Sequence, residues 1–334
     1  MVKHLSLVCL LFWVVACSSV SPPSDPSAAY QPGPGAYDYE SMGPVALPFD
    51  ALDKDLMLRV TYPVAKNNKD SFPVIVFSHG GRCSRDQYEP FARHWASHGY
   101  IVVQPAHLDS TSVPRPNLRG MQMMREAVRT RRLDMVHVLD SLDELQRLVP
   151  ALSGHIDAER AVAAGHSMGG ATAMTVTGVV LIEPSDNSEF GFLEDRFDAL
   201  LLITNPGNSP MMPEDPWKGV GMPTFIATGT DDYSGIGRRI SQKKSSRVYG
   251  YAESVEIADT PNYYLFIDDM DHYLGGLICK PIEDDQPDPE AARIINGASV
   301  AFLDAYIKDD ATARAFLERG FVDGEEPRAS LTIR

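Results

Sequence analysis

Basic residues are scarce in this sequence: 30 lysines and arginines stand against 45 aspartates and glutamates, for a formal net charge of −15. Nucleic-acid binding needs a basic face, so this balance excludes that class of function. Long apolar runs are lacking near the start of the chain. The run over residues 5–16 is shorter than the ~18 residues of a membrane-spanning helix. The N-terminus is therefore predicted to be a targeting segment rather than a transmembrane helix.

The beginning of the chain is predicted to lie outside the folded domain. Residues 14–17 read Val-Val-Ala-Cys and resemble the lipobox of bacterial lipoproteins, in which cleavage before Cys17 frees that thiol for acylation. A plain secretory signal is the alternative. Ser18 at the second mature position resembles an outer-membrane sorting signal. We predict a signal peptide over residues 1–16, a lipid anchor at Cys17 in the outer membrane, facing the periplasm, and a Ser/Pro-rich tether over residues 17–35.

Residues 36–334 are predicted to form one α/β domain. Short apolar runs typical of buried strands alternate with segments typical of helices. This alternation favours a mostly parallel sheet with helices on both faces, and catalytic residues at the carboxyl ends of the strands. Residues 45–47 and 56–60 are predicted edge strands, and residues 121–148 a long helix. There is no internal repeat, and we expect a monomer.

Residues 165–169 read Gly-His-Ser-Met-Gly and carry the most specific chemical signal in the chain. An apolar segment precedes them, and small residues typical of a helix start follow. In this G-x-S-x-G context the serine occupies a strained strand-to-helix turn, which lifts its hydroxyl clear of the sheet. Ser167 is therefore the predicted nucleophile, with an ordinary glycine-rich turn as the alternative.

The partners of the nucleophile follow from their order in the chain. The fold that uses this turn places a carboxylate and then a histidine after the serine. Of nine histidines, only His272 follows Ser167, so His272 is the predicted base. A later predicted strand is followed by Gly-Thr-Asp-Asp, whose spacing favours Asp232 over Asp231 as the acid that orients the imidazole. The preceding predicted strand ends in Asn205, where no carboxylate is available.

An oxyanion hole is predicted where the segment Ser-His-Gly-Gly-Arg follows an apolar strand. A tetrahedral intermediate needs two backbone N–H donors, and glycine lets the backbone turn one of them inward. We predict the amides of Gly81 and Met168, with Arg82 as the alternative to Gly81. His79 in this loop and His166 beside the nucleophile are predicted to be structural residues rather than bases.

These motifs, in this order, resemble the α/β-hydrolase superfamily, and the resemblance implies its fold. Within it, the chain is similar over about residues 44–320 to the bacterial group of platelet-activating-factor acetylhydrolases and dienelactone-hydrolase-like proteins. The closer similarity includes residues 100–107, 121–148 and 301–307. The acetylhydrolase pattern carries its acid after the earlier strand. Asn205 at that place favours the dienelactone-hydrolase, chlorophyllase and cutinase-like arrangement.

Removal of the signal peptide and acylation of Cys17 would leave two cysteines. Cys83 follows the oxyanion loop, and Cys279 follows the predicted base by seven residues. An oxidising envelope favours a disulfide between them, with free thiols as the alternative. The acidic run over residues 283–285 is predicted to be a solvated loop rather than a calcium site. We expect no metal and no cofactor.

The residues together predict a serine carboxylic-ester hydrolase that acts through an acyl-enzyme on Ser167. Its substrate would be a small or lipid-like ester. A thioesterase or acyltransferase would use the same residues, and a non-catalytic envelope protein that uses the fold as a binding scaffold is the alternative from another class. Met123 and Met124 are candidates for an adaptable acyl site, although we favour helix-core packing for both.

Overall fold

The computed structural model describes residues 30–114, 116–182, 187–204, 212–232, 260–279, 286–321 and 324–333. The predicted signal peptide, the lipobox with Cys17, Asn205 and the acidic run 283–285 lie outside the described residues. Within the described part, no helix combines the length and the apolar character needed to cross a bilayer.

The described residues form strands and helices that alternate along the chain. The strands of the main sheet are β1 (Tyr39–Phe49), β2 (Lys54–Pro63), β3 (Phe72–Ser78), β4 (Ile101–Pro105), β5 (Ile156–His166), β8 (Phe197–Ile203), β9 (Thr224–Asp231), β10 (Asn262–Asp271) and β11 (Ala329–Ile333), and β6 (Leu181–Ile182) and β7 (Glu189–Phe190) form a short hairpin. The helices are α1 (Glu89–Ser97), α2 (Gly120–Asp140), α3 (Leu142–Leu148), α4 (Met168–Val176), α5 (Pro289–Ile307) and α6 (Ala311–Arg319).

The main sheet is parallel in its centre and antiparallel at its edges. Its strand order is β1-β2-β4-β3-β5-β8-β9-β10-β11. Each neighbouring pair from β4 to β10 is parallel, whereas β1, β2 and β11 run antiparallel to their neighbours. The predicted α/β architecture and the predicted edge strands near the beginning of the domain are therefore confirmed.

Helices cover both faces of the sheet, so its central strands are apolar on both sides. In β3, Ile75 and Phe77 belong to one buried cluster, and Val74 and Val76 belong to the other. Residues of α1, α5 and α6 complete the first cluster, and residues of α2, α3 and α4 complete the second. This burial explains why the parallel strands read as nearly continuous apolar runs.

Two secondary-structure elements differ from the prediction. The helix predicted over residues 121–148 is two helices, because Ser141 leaves the helical region with φ −119° and ψ 22°. No proline or glycine marks this break in the sequence. The strand β11, which the sequence analysis did not identify, pairs with β10 at the far edge of the sheet.

The predicted tether is too long at its C-terminal end. The hydroxyl of Tyr30 donates to Asp304 Oδ2 at 2.7 Å, and its ring lies 5.6 Å from that of Phe316. The amide of Gly35 donates to Ser97 Oγ at 3.1 Å. Residues 30–35 therefore pack on the domain, because an aromatic ring and backbone groups in this segment find partners on α1, α5 and α6.

Candidate active site

Ser167 lies at the turn between β5 and α4. It has φ 54° and ψ −120°, a conformation that a residue with a side chain rarely adopts. The turn requires close backbone approach on both sides. A Cβ on Gly165 would overlap the backbone of Gly169, and a Cβ on Gly169 would overlap the carbonyl oxygen of Ser78. The two glycines of the motif thus allow β3, β5 and α4 to meet beneath the serine.

The structure brings His272 and Asp232 to Ser167 in one chain of hydrogen bonds. His272 follows β10, and its Nε2 lies 2.8 Å from Ser167 Oγ. Its Nδ1 lies 2.6 Å from Asp232 Oδ1. Asp232 follows β9, so the three side chains come from the carboxyl ends of three parallel strands.

The two adjacent aspartates after β9 have different surroundings. Asp231 is exposed, whereas Asp232 is buried and reaches the imidazole. The second carboxylate oxygen of Asp232 accepts from Thr228 Oγ1 at 2.7 Å. Both oxygens therefore accept hydrogen bonds, which leaves Nδ1 of His272 as the donor and Nε2 free to accept the serine proton. His272 and Asp232 are both 3% exposed, while Ser167 is only partly buried and can be reached from outside.

The backbone amides of Gly81 and Arg82, the two alternatives for an oxyanion donor, differ in their hydrogen bonds. The amide of Arg82 is already used, because it donates to Asp109 Oδ2 at 2.9 Å. The amide of Gly81 has no hydrogen-bond partner within the described part of the chain. A Cβ on Gly81 would lie 3.4 Å from Cβ of Met168, so the two predicted donor residues are neighbours. Met168 is the first residue of α4, so its amide has no acceptor within the helix.

The buried Arg131 of α2 sets the direction of this loop. Its Nη1 donates to the carbonyl of His79 at 2.7 Å, and its Nη2 donates to the carbonyl of Gly80 at 3.2 Å. In a trans peptide the C=O and the following N–H point to opposite sides. Since the carbonyl of Gly80 faces Arg131, the amide of Gly81 points away from it. Sequence analysis missed Arg131, because no local motif links residue 131 to the loop.

Burial and the positive charge of Arg131 shift the pKa values of the titratable groups around it. Burial raises the pKa of the Asp109 carboxyl, but the charge and hydrogen bonds of Arg131 outweigh this effect and hold the pKa below its usual range. Burial, followed by the charge of Arg131, lowers the pKa of His79 and of His107 well below the usual value. His79 is therefore neutral and structural, as the sequence analysis predicts: its Nε2 accepts from the amide of His107, and its Nδ1 donates to the carbonyl of Gly80.

A second buried chain of hydrogen bonds links the loop after β3 to the loop after β10. The amide of Gly80 donates to the hydroxyl of Tyr88 at 2.8 Å. That hydroxyl lies 2.8 Å from Nδ1 of His166, and Nε2 of His166 lies 3.0 Å from the carbonyl oxygen of His272. The order of donors is fixed, because Tyr88 must donate to His166 and His166 must donate to His272.

A disulfide joins the same two loops. Cys83 and Cys279 are bonded in the structure, with their Cα atoms 4.9 Å apart. Within the described residues, one group of three side chains could hold a metal ion by distance alone. It consists of Cys83, Cys279 and His166. The disulfide occupies both thiols, so this group is not available to a metal in the bonded state.

Removal of the Tyr88 hydroxyl tests this link. Tyr88→Phe leaves the amide of Gly80 and Nδ1 of His166 without their partner in a buried place. We expect the free energy of unfolding to fall by about 1–3 kcal/mol. The rate at which an organophosphate labels Ser167 should fall about 10- to 100-fold, since small misplacements of donors slow such attack strongly.

The matched control is Tyr62→Phe, which removes a hydroxyl that donates to Glu40 Oε2 at 3.0 Å on the edge strands. This variant should lose some stability and label Ser167 at the wild-type rate. Equal labelling rates for Tyr88→Phe and wild type would contradict a positioning role for Tyr88.

In comparison with known protein families, residues 50–186 match the chlorophyllase family. The matched region contains the loop after β3, the helix that carries Arg131, and Ser167 with its turn. It ends before β9 and β10, which precede Asp232 and His272. The mostly parallel sheet with helices on both faces, together with this family match, is the α/β-hydrolase fold.

Proposed function

We propose that this protein is a serine carboxylic-ester hydrolase with Ser167 as nucleophile, His272 as general base and Asp232 as the orienting acid. The observation that carries the proposal is the unbroken chain Ser167 Oγ, His272 Nε2, His272 Nδ1 and Asp232 Oδ1, with spacings of 2.8 and 2.6 Å. The match to the chlorophyllase family supports the same type of chemistry.

In the first half of the reaction the ester acylates Ser167. The serine oxygen attacks the ester carbonyl carbon while its proton passes to His272 Nε2. The carbonyl oxygen becomes an oxyanion that accepts from the amides of Gly81 and Met168. The bond to the alcohol oxygen then breaks, and this oxygen takes the proton from His272. Asp232 keeps the imidazole in one tautomer and balances its charge while it is protonated.

In the second half, water repeats the sequence. His272 takes a proton from the water as its oxygen attacks the acyl carbon. The bond from that carbon to Ser167 Oγ breaks, and the serine recovers its proton from His272. The products are a carboxylic acid and the free enzyme. None of these steps calls for a metal or a cofactor.

Two other functions remain as competitors. A thioesterase or acyltransferase would use the same three residues, and it would differ in the leaving group or in the acceptor that attacks the acyl-enzyme. An added alcohol or thiol that outcompetes water would favour the acyltransferase. A non-catalytic binding scaffold is disfavoured by the complete chain of hydrogen bonds from Asp232 to Ser167.

We further propose that the protein is anchored by lipid at Cys17, in the outer membrane and facing the periplasm. The support is the sequence alone: the apolar run over residues 5–16, the lipobox before Cys17, and Ser18 after it. Two acyl chains would hold the protein at a membrane surface without spanning it.

Loss of the nucleophile is the first test. Ser167→Ala should fold with wild-type thermal stability, because the side chain is small and partly exposed. Ester hydrolysis should fall by about 10⁴-fold or more, as deletions of a triad member do. An organophosphate should label the wild-type chain once, at Ser167. Substantial hydrolysis by the alanine variant, or labelling of another serine, would remove Ser167 from the mechanism.

The two neighbouring aspartates supply a matched pair for the acid. Asp232→Asn should lower kcat by about 10²- to 10⁴-fold, since an amide favours the wrong tautomer of His272. Asp231→Asn makes the same chemical change one residue away on an exposed side chain, and kcat should stay near wild type. Thermal unfolding of both variants separates lost chemistry from lost folding. A folded but inactive Asp231→Asn variant would show that Asp231, and not Asp232, is the acid.

Anchoring is tested on the full-length chain expressed in a Gram-negative host. The wild-type protein should sediment with membranes, and mass spectrometry of its mature N-terminus should find an acylated Cys17. Cys17→Ala should remain uncleaved at the lipobox. Cys83→Ala is the control for a general effect of losing a cysteine and should still be acylated. An unmodified mature N-terminus at another residue would refute the anchor.

A further inference from the structure

A cavity of about 890 Å³ opens beside the two predicted oxyanion donors, Gly81 and Met168. Its other walls come from the loop between β4 and α2 and from the first turns of α2. The apolar part of the wall includes Leu108, Leu118 and Met123. A volume of this size is in the range of small-molecule sites.

Met124 belongs to this wall and not to the helix core. It is 50% exposed, and it lines the cavity together with the partly buried Met123. Helix-core packing, which the sequence analysis favours for both methionines, is therefore wrong for Met124. Unbranched thioether side chains adapt to flexible apolar ligands.

The position of the cavity identifies which part of an ester it would hold. The leaving oxygen must face Nε2 of His272 to receive its proton, so the alcohol leaves on the His272 side. The described residues that line the cavity include both predicted oxyanion donors and none of the loop after β10. The cavity therefore adjoins the predicted oxyanion donors and not the His272 side, so it would take the acyl substituent rather than the alcohol.

The charge of the cavity is opposite to that of the whole chain. Arg82 and Arg119 line it, are exposed, and form no ion pair within the described residues. Among the described lining residues, Asp109 is the one carboxylate, and it is neutralised by Arg131 through hydrogen bonds of 2.9 Å. The protein has a net charge of −15, but these two unpaired guanidinium groups create a local positive potential that attracts anions.

We propose that this cavity binds acyl groups that carry a carboxylate at the far end of an apolar chain, so that half-esters of dicarboxylic acids are preferred over neutral esters of the same length. The inference rests on the proposed ester-hydrolase function. Apolar walls accept the methylene chain, and Arg82 and Arg119 accept the terminal carboxylate, for which a guanidinium can supply two parallel N–H donors.

The test compares 4-nitrophenyl half-esters of succinic, adipic and suberic acid with neutral 4-nitrophenyl esters of equal acyl length. At one or more lengths, kcat/KM for the charged ester should exceed that for the neutral one by about tenfold, the effect of one charge-assisted hydrogen bond. Arg119→Gln and Arg82→Gln should each lower this ratio. The ratio is independent of the fraction of active enzyme, so a partial loss of folding does not affect it.

Arg125→Gln is the matched control, because Arg125 is an exposed arginine of α2, the helix that begins directly after Arg119, and does not line the cavity. It should leave the ratio unchanged. Raising the ionic strength should lower kcat/KM for the charged esters more than for the neutral ones. A wild-type ratio of one or less at every length, or a ratio that neither cavity variant changes, would overturn the inference and leave the esterase function intact. Hydrolysis of none of the esters would overturn the proposed function and this inference with it.

Discussion

The buried charge of Arg131 is the constraint on which the rest of the site depends. A guanidinium that is fully removed from water must be paired and hydrogen-bonded, or its burial would cost several kcal/mol. Asp109 supplies the counter-charge, and the carbonyls of His79 and Gly80 supply acceptors. Satisfying Arg131 therefore turns these carbonyls inward and the amide of Gly81 outward. The direction of the proposed oxyanion donor therefore follows from the electrostatics of the core.

The loop that carries His272 is fixed by two independent links to this same region. The Cys83–Cys279 disulfide spans 196 residues of sequence, and closing a loop of that length removes about 5 kcal/mol of chain entropy from the unfolded state in the simplest treatment. The chain through Tyr88 and His166 adds directional bonds at the carbonyl of His272. A covalent link limits how far the loops separate, and the hydrogen bonds set their relative orientation. Both act on the loop that holds Nε2 of His272 2.8 Å from Ser167 Oγ.

The sequence was sufficient for the features that depend on local spacing or on chain order. Gly165 and Gly169 predicted the turn, and the parallel sheet followed from apolar runs. The order of Ser167, Asp232 and His272 selected three side chains that the structure brings together. Features that depend on contacts between distant segments were missed. Tyr88 and Arg131 belong to ordinary helical or loop sequences, and only the packing of the sheet ends reveals what their polar groups bind. The docking of residues 30–35 was missed for the same reason.

The loop between β4 and α2 connects the reaction centre to the cavity, and its two ends are held differently. At its beginning, Asp109 binds Arg131, Ser110 Oγ donates to the carbonyl of Cys83 at 3.2 Å, and Ser112 Oγ accepts from Arg85 at 2.8 Å. Within the described residues 113, 114 and 116–118, no hydrogen bond ties the later part to the rest of the domain. Substitutions in the later part can therefore alter the cavity wall while the part that orients the oxyanion loop keeps its bonds. Under the proposed function, such substitutions would change substrate selectivity at little cost to the geometry of Gly81.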